Sequence, residues 1–388
     1  MRQISYAILA VACAAGLATA QASSAAEARY RVSNLSTFGG TVSRGNTIND
    51  FGWVAGYSNL AGNQSRHASL WRDGRQTDLG TLGGANSSVA WPVKNLRGMI
   101  TGIAQTATPD PLGEHWSCSV FFTGPLAFGN TCLGFVWQAG RMRALPTLGG
   151  NNGYATGSNN WGQVAGWAEN AVHDPTCTPP QVLQFRAVVW GPGKEQIHEL
   201  PLIAGDTSSA ATALNDHGQV VGISGLCDQA VGRLTAQHAV LWENGKATDI
   251  GNLGGEDWNT PTAINQRGDI VGFAGEAGDI EGNILHAFIW TRHDGIKPLP
   301  PLDADVFSEA LGINEWRQVV GISCNDVECR AVLWQDGVAT DLNTLVKPGY
   351  TDHLDLAQDI NDFGQITGRA LDPVTGERPA YLAVPVRN

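Results

Sequence analysis

Few side chains in this sequence are charged: Asp, Glu, Lys and Arg make up 15% of its 388 residues, with 36 acidic against 24 basic. No run of basic residues is present, so nucleic acid and anionic membrane surfaces are poor candidate partners. A nucleophile elbow, a glycine-rich phosphate loop, an H-E-x-x-H pair and a dinucleotide fingerprint are also missing. The sequence therefore indicates none of those reaction classes.

Long apolar runs are absent beyond the N-terminus, where Arg2 precedes an apolar run from Ile4 to Ala20. Ala18-Thr19-Ala20 fits a signal-peptide cleavage site, with Ala26 as a second option. The run is too short and too alanine-rich for a good membrane anchor, so we expect no membrane span. The prediction divides the chain into a signal peptide (1–20), a short linker (21–28) and a single domain (29–388). The mature protein is expected to be secreted or periplasmic.

The main feature present is an internal repeat, an Asn followed seven residues later by Gly. The seven copies are Asn49/Gly56, Asn95/Gly102, Asn159/Gly166, Asn215/Gly222, Asn265/Gly272, Asn314/Gly321 and Asn361/Gly368. Six copies continue to a Trp, and the seventh has Ala383 in its place. The Asn-to-Asn period of 46 to 64 residues is typical of propeller blades rather than helical solenoids.

The fourth copy shows what one repeat builds. Asn215–Gly218 predicts a tight turn, and Asn244-Gly245 is a strong hairpin signal. The predicted strands are 211–214 (A), 219–223 (B), 238–242 (C) and 246–250 (D). Four antiparallel strands per copy without helical periodicity predict an all-β, seven-bladed β-propeller of four-stranded blades.

The two ends of the chain predict how the ring closes. The last copy stops at strand C, while Tyr30–Leu35 matches the strand D that precedes the next copy. We therefore expect Tyr30–Leu35 to pair with Tyr381–Val384 and complete the seventh blade, which leaves no free sheet edge.

The repeat resembles the extracellular HAF-repeat family over nearly the whole mature chain. The resemblance is carried by His286-Ala287-Phe288, Leu253-Gly254-Gly255 and Ala263-Ile264-Asn265. It implies export and a repeat architecture, and it implies no particular activity.

Strand order places the A–B and C–D connections on one side of the ring, the turn face, and the B–C and D–A connections on the other, the loop face. The loop face carries two insertions, predicted at Ile103–Leu133 and Trp167–Phe185. His67, His238 and His286 share one slot of the repeat, which favours a structural role for them. Function is expected in what does not repeat, and thus on the loop face.

The six cysteines that follow the predicted signal peptide are expected to lie in B–C connections and to form disulfides in an exported chain. Cys118 with Cys132, and Cys324 with Cys329, each share one connection. Cys177 and Cys227 lie in adjacent blades on the loop face, so blade adjacency favours a third bridge between them. Free thiols are the alternative.

Several loop-face residues are candidates for a site. Those with possible acid–base roles are Glu114, His115, His173, Tyr154 and Asp206. Those with possible binding roles are Trp116, Phe121, Phe122, Phe128 and Trp258; the phenylalanines either form a binding knob or pack onto the blades. Asp206, Asp257 and Asp305 are candidate oxygen ligands for Ca²⁺, although no calcium-loop motif is present.

Two functions remain open. The first is a monomeric binding or scaffold propeller, without a required cofactor, that engages an extracellular glycan or protein through the loop face. The second is a polysaccharide lyase or a glycosidase on the same face, since a lyase needs a His or Tyr base with an Arg or metal, and a glycosidase needs two carboxylates.

Overall fold

The computed structural model describes residues 29–92, 94–114, 116–122, 124–193, 196–229, 232–278 and 284–386. These residues form seven four-stranded antiparallel sheets arranged as the blades of a propeller. The predicted fold class is therefore confirmed. The predicted signal peptide and linker lie outside the described residues. No helix in the described part of the chain is long and apolar enough to cross a membrane.

Each of blades one to six contains four consecutive strands, A to D, with strand A innermost. Blade one contains β2 (Gly39–Ile48), β3 (Val54–Leu60), β4 (Arg66–Arg72) and β5 (Arg75–Asp78). Blade two contains β6 (Gly83–Ser88), β7 (Ile100–Pro109), β8 (Asn130–Gln138) and β9 (Arg141–Ala144). Blade three contains β10 (Gly149–Ser158), β11 (Val164–His173), β12 (Leu183–Trp190) and β13 (Ile197–Glu199).

The second half of the ring continues this order. Blade four contains β14 (Ser208–Leu214), β15 (Val220–Gly225), β16 (His238–Glu243) and β17 (Lys246–Asp249). Blade five contains β18 (Thr260–Ile264), β19 (Ile270–Gly275), β20 (Leu285–Thr291) and β21 (Gly295–Pro298). Blade six contains β22 (Phe307–Ile313), β23 (Val319–Cys324), β24 (Cys329–Gln335) and β25 (Val338–Asp341). The short helices are α1 (Trp116–Ser119) and two 3₁₀ turns, Pro125–Ala127 and Leu342–Leu345.

Blade seven is built from both ends of the chain. It contains β26 (His353–Ile360), β27 (Ile366–Leu371), β28 (Ala380–Pro385) and, outermost, β1 (Tyr30–Asn34). The register places Tyr30 opposite Pro385 and Asn34 opposite Tyr381. This pairing confirms the predicted closure by the N-terminal strand.

The repeated Asn does more than close its own turn. In every blade its Oδ1 accepts hydrogen bonds from the backbone N–H groups two and four residues later. In six blades its Nδ2 also donates to the carbonyl of the corresponding Asn in the next blade. The exception is Asn95, whose Nδ2 binds Met99 O and Ser158 Oγ. The Asn ring thus joins the blades around the channel at the turn face.

Four of the six tryptophans in the strand C slot are buried in the core, and Trp137 and Trp290 are half-buried against it. Trp242 is 2% exposed, and its indole N–H donates to Pro201 O at 2.7 Å. Trp71, Trp190 and Trp334 are equally buried and donate to a carbonyl of the connection that enters their own blade. Each of these indoles therefore fastens strand C to the loop that precedes its blade.

Lys94 departs from the mainly apolar residues that precede the Asn in other copies. Its Nζ lies 2.7 Å from Asp359 Oδ1 and also donates to the carbonyls of Ile313 and Ile360. Burial raises the pKa of Asp359, and the Lys94 ammonium opposes that rise. Lys94 therefore reaches across the channel from blade two to blades six and seven.

All three expected disulfides form. The Cα atoms are 5.7 Å apart in Cys118–Cys132, 4.5 Å in Cys177–Cys227 and 4.1 Å in Cys324–Cys329. The expectation that all six cysteines lie in connections was wrong, because Cys132, Cys324 and Cys329 lie in strands.

The strands that border both insertions also continue further than predicted. The connections consequently shorten from 103–133 to 110–129 and from 167–185 to 174–182. In both blades strands B and C remain paired beyond a break in register. The last pairs are Pro109 with Asn130 and His173 with Leu183.

Candidate functional site

Glu114 was expected in an exposed loop, but the structure buries it completely. Its Oε1 accepts the backbone N–H groups of Val182 and Leu183 at 2.8 and 2.6 Å. The carboxylate therefore fixes the insertion of blade two onto blade three, and it faces the interior rather than a ligand.

Glu169 is a second buried carboxyl beside Glu114, and the sequence did not single it out. Both carboxyl groups accept from Gln181 Nε2, and Glu169 also accepts the N–H groups of Asn151 and Asn152. Burial, followed by the nearby charge of Glu114, raises the pKa of Glu169 to about 8. This pair is enclosed, so it does not offer a glycosidase the two accessible carboxylates that it needs.

The aromatic candidates divide between core and surface. Tyr154 is fully buried, and its ring lies 4.7 Å from the ring of Phe121 and 6.3 Å from that of Trp167. Phe122 is 2% exposed, whereas Phe128 is half exposed. The phenylalanine cluster thus mainly packs onto the blades, the second of the two alternatives.

The remaining candidates lie in different parts of the ring. Trp116 is the first residue of α1, and His115 lies outside the described residues. His173 is exposed at the end of β11, and Trp258 is half-buried beside blade five with a positive φ of 58°.

The carboxylates considered for Ca²⁺ lie on separate blades. Asp206 binds Ser224 Oγ and His238 Nδ1 in blade four. Asp305 binds Ser323 and Arg330 at the equivalent place in blade six, and Asp257 pairs with Arg233. Among the described residues, no group of three or more His, Cys, Asp or Glu side chains could hold a metal ion.

A pocket of about 310 Å³ opens inside the channel on the loop-face side. Strands A of blades one, six and seven line it, and the blade-two insertion covers it with Val120 and Phe121. Its lining is Arg44, Asn46, Tyr57, Arg66, Ser88, Ala90, Trp91, Val120, Phe121, Phe273, Glu309, Leu311 and Gln358. We call this cavity the channel pocket.

Arg44 is the central charged group of the channel pocket. It donates to Gln358 Oε1 through Nη2, while its Nε is buried and has no hydrogen-bond partner among the described residues. None of the ion pairs formed by the described residues includes Arg44. Burial lowers the pKa of Arg44, and the nearby Tyr57, Glu309 and Asp355 groups oppose that fall without forming an ion pair with it.

Arg66 supplies a second guanidinium at the pocket wall. Its Cζ lies 4.2 Å above the centre of the Tyr57 ring, and its Nη1 donates to Phe121 O at 3.0 Å. These contacts hold the arginine, the tyrosine and the insertion of blade two in one arrangement.

Glu309 is the one carboxyl group in the pocket lining. Burial raises its pKa to about 7, and the positive charge of Arg44 opposes that rise. Near neutral pH the lining therefore carries two guanidinium groups and about half of one negative charge, in a protein whose formal net charge is -12.

The sequence reasoning missed most of this pocket, although it contained a signal. Arg44 and Glu309 occupy the same slot, five residues before the repeated Asn, where other copies have residues such as Ala90 and Ala210. Charged residues in a slot that is uncharged in the other copies were the available signal.

Comparisons with known proteins support the fold and stop there. No protein-family model and no curated protein matches the chain. The β-propeller domain of the Trilobed protease from Pyrococcus furiosus is similar at 10% identity and a TM-score of 0.51, covering 93% of this chain and 98% of that one. Pyrococcus horikoshii acylaminoacyl peptidase is similar at 11% identity and a TM-score of 0.48, covering 91% of this chain and 53% of that one. The P. furiosus domain has an open velcro topology, whereas β1 pairs with β28 here.

Proposed function

We propose that this protein is an exported binding propeller whose channel pocket holds a carboxylate-bearing ligand, such as a uronate unit of an acidic glycan. Arg44 carries the proposal, because a buried guanidinium with an unpaired donor and no described carboxylate at ion-pair distance is costly until an anion binds. A carboxylate matches the planar guanidinium in geometry as well as in charge.

The remaining lining suits a sugar ring. Trp91, Phe121 and Phe273 supply apolar walls, while Asn46 and Gln358 supply amides for hydroxyl groups. A cavity of this size that combines apolar walls with converging polar groups is typical of small-ligand sites.

The three disulfides indicate an oxidising environment, which is extracellular or periplasmic. Export through the N-terminal segment and membership of the HAF-repeat family belong to the same proposal. Both fit a protein that meets its ligand outside the cytoplasm.

Calorimetric titration with oligogalacturonate, and with a neutral glucan oligosaccharide of equal length, tests this function. We expect binding of the uronate alone, and about tenfold or greater weakening in Arg44→Gln. Arg75→Gln changes an exposed arginine of β5 and is the matched control. Binding that is equal for both oligosaccharides, or unchanged in folded Arg44→Gln, would contradict the proposal.

Glu309 gives the same experiment a pH dependence. Above pH about 7 its carboxylate ionises and repels an anionic ligand, so affinity for the uronate is expected to fall as the pH rises. Glu309→Gln should flatten this profile while leaving the uronate preference in place. A profile that is identical in Glu309→Gln would remove Glu309 from the site.

Tyr57 favours a second candidate, a polysaccharide lyase. It lines the pocket together with Arg66, which is the Tyr and Arg combination that a lyase needs. In that reaction the ionised Tyr57 oxygen would take the C5 proton, the C–H electrons would form the C4–C5 double bond, and the C4–oxygen bond would break. The proton now on Tyr57 would then pass to the leaving oxygen, which restores the ionised tyrosine. An unsaturated product detected by ultraviolet absorbance, lost in Tyr57→Phe with binding retained, would establish turnover; binding without product would leave the protein a binder.

A further inference from the structure

The turn face carries a second set of side chains with a shared character. The residue two positions after the repeated Asn is exposed in all seven blades, and in each blade it has a flat aromatic, imidazole or guanidinium group. The seven are Phe51, Arg97, Trp161, His217, Arg267, Trp316 and Phe363. We call them the rim residues, because they surround the channel mouth opposite the channel pocket.

The exposed indoles of the rim are held in place. Trp161 and Trp316 are 65% and 66% exposed, yet their Nε1 atoms donate to the carbonyls of Asp216 and Asp362 in the next blade. Each indole thus satisfies its only polar group within the protein and presents an apolar ring in a fixed orientation. A rigid aromatic surface of this kind loses little side-chain entropy when a ligand stacks on it.

Two clefts between neighbouring blades, beside the rim residues, contain the same types of side chain. The cleft between blades seven and one has a volume of about 360 Å³ and is lined by Phe51, Phe363, Asp50 and Gln365. The cleft between blades six and seven has a volume of about 280 Å³, and its lining includes Phe363, Asp362, Gln318 and Arg29. Each therefore combines an aromatic ring with a carboxylate and a primary amide.

The polar groups of these clefts are oriented by the fold. Asp50 Oδ1 accepts the N–H of Asp362, and Gln365 Oε1 accepts from Asn361 Nδ2. These bonds leave Asp50 a second acceptor oxygen and Gln365 its amide donors, whereas Gln318 of the other cleft also donates to Gln335 Oε1 at 3.4 Å. A hydroxyl group, which both donates and accepts, matches that pair.

We propose that the rim residues and their inter-blade clefts bind neutral sugar units of a glycan. The carboxylates of Asp50 and Asp362 disfavour an anionic ligand at the clefts. Arg29, which lines one cleft beside Asp362, and Arg97 and Arg267 of the rim disfavour a cationic ligand. A sugar without charge avoids both penalties, stacks its C–H face on the rings and bonds through its hydroxyl groups. Because the two clefts are adjacent and share Phe363, one glycan can contact both at once.

This inference is independent of the channel pocket, which lies on the other face and is proposed for a carboxylate. Cellohexaose, laminarihexaose, maltohexaose and chitohexaose are suitable probes, titrated into the protein by calorimetry and by tryptophan fluorescence. We expect at least one to bind and to change the emission of the exposed tryptophans. In Phe363→Ala, which alters both clefts, binding should weaken about tenfold or more.

Phe128→Ala is the matched control, because Phe128 is 51% exposed on the loop face and Phe363 is 64% exposed on the turn face. The control should bind the hexasaccharide as the unmodified protein does. Failure of all four hexasaccharides, or equal weakening by both variants, would overturn the proposal. So would self-association in sedimentation that Phe363→Ala abolishes, since a second copy would then cover the rim.

Discussion

The two faces of the propeller obtain their chemistry in different ways. On the turn face, one tight turn is repeated seven times, and variation at a single slot produces the ring of rim residues. On the loop face, connections of unequal length meet over strands from distant blades, and the channel pocket exists only once. A face built from one repeated slot suits repeated ligand units, whereas a face built from unlike connections suits a single ligand.

Both faces exist only if the ring of blades is closed. Removal of β1 should therefore have the largest effect on stability. A chain that starts at Ser36 loses the ladder with β28 and exposes a sheet edge beside the blade-seven core. We expect loss of the cooperative thermal transition and rapid proteolysis. A chain that starts at Arg29 is the control, and a normal transition in the shorter chain would show that the ring closes without β1.

A buried and an exposed tryptophan should differ in how much they contribute to the free energy of unfolding. Trp242→Ala empties a buried slot and should lower the free energy of unfolding by about 3–5 kcal/mol, while ligand binding by the folded fraction persists. Trp316→Ala changes an exposed rim residue and should stay within about 0.5 kcal/mol. Chemical denaturation of both variants measures the difference, and similar losses would mean that the rim is part of the core.

One disulfide joins two blades and another lies within a single blade, so their contributions to the free energy of unfolding can be compared. Cys177–Cys227 closes a 50-residue separation and Cys324–Cys329 closes 5. Loop-closure entropy predicts losses of about 4 and about 2 kcal/mol when each pair is replaced by alanine. Denaturation without reductant tests this order. A reversed order would place the stabilisation in native packing rather than in the unfolded chain.

A further effect is a pH dependence that comes from Glu169 beneath the loop face. In the folded protein Glu169 keeps its proton up to pH about 8, while in the unfolded chain it ionises near its usual pKa. The folded state therefore binds more protons between about pH 5 and about pH 8, and the free energy of unfolding falls as the pH rises. Glu169→Gln should reduce this slope in thermal melts. Glu377→Gln, an exposed change, should leave it intact.

The fold was predictable because the turns and strands of each blade are specified by residues that are close together in the sequence. Asn215–Gly218 and Asn244-Gly245 specify turns from a few residues, and Tyr30–Leu35 matches strand D by pattern alone. The Cys177–Cys227 bridge followed from blade adjacency. These inferences need only the repeat and the strand order.

The channel pocket was not predictable by the same route. Arg44 meets Gln358 across 314 residues of sequence, a contact that exists only once the ring has closed. Slots that recur were also assigned to the scaffold, which removed Arg44 and Glu309 from consideration. The position five residues before the repeated Asn occurs in every copy, but its side chain differs between copies. Function can reside in that difference.

Placing both chain ends in blade seven has a mechanical consequence. Val386 N–H donates to Arg29 O at 2.7 Å, so the ends of the domain lie side by side at one end of the β1–β28 ladder. A force that pulls them apart loads the outermost hydrogen bonds first and then opens the ladder pair by pair, like a zipper. The bonds never share the load as they would in shear. The domain is therefore expected to yield to tension first where β1 pairs with β28.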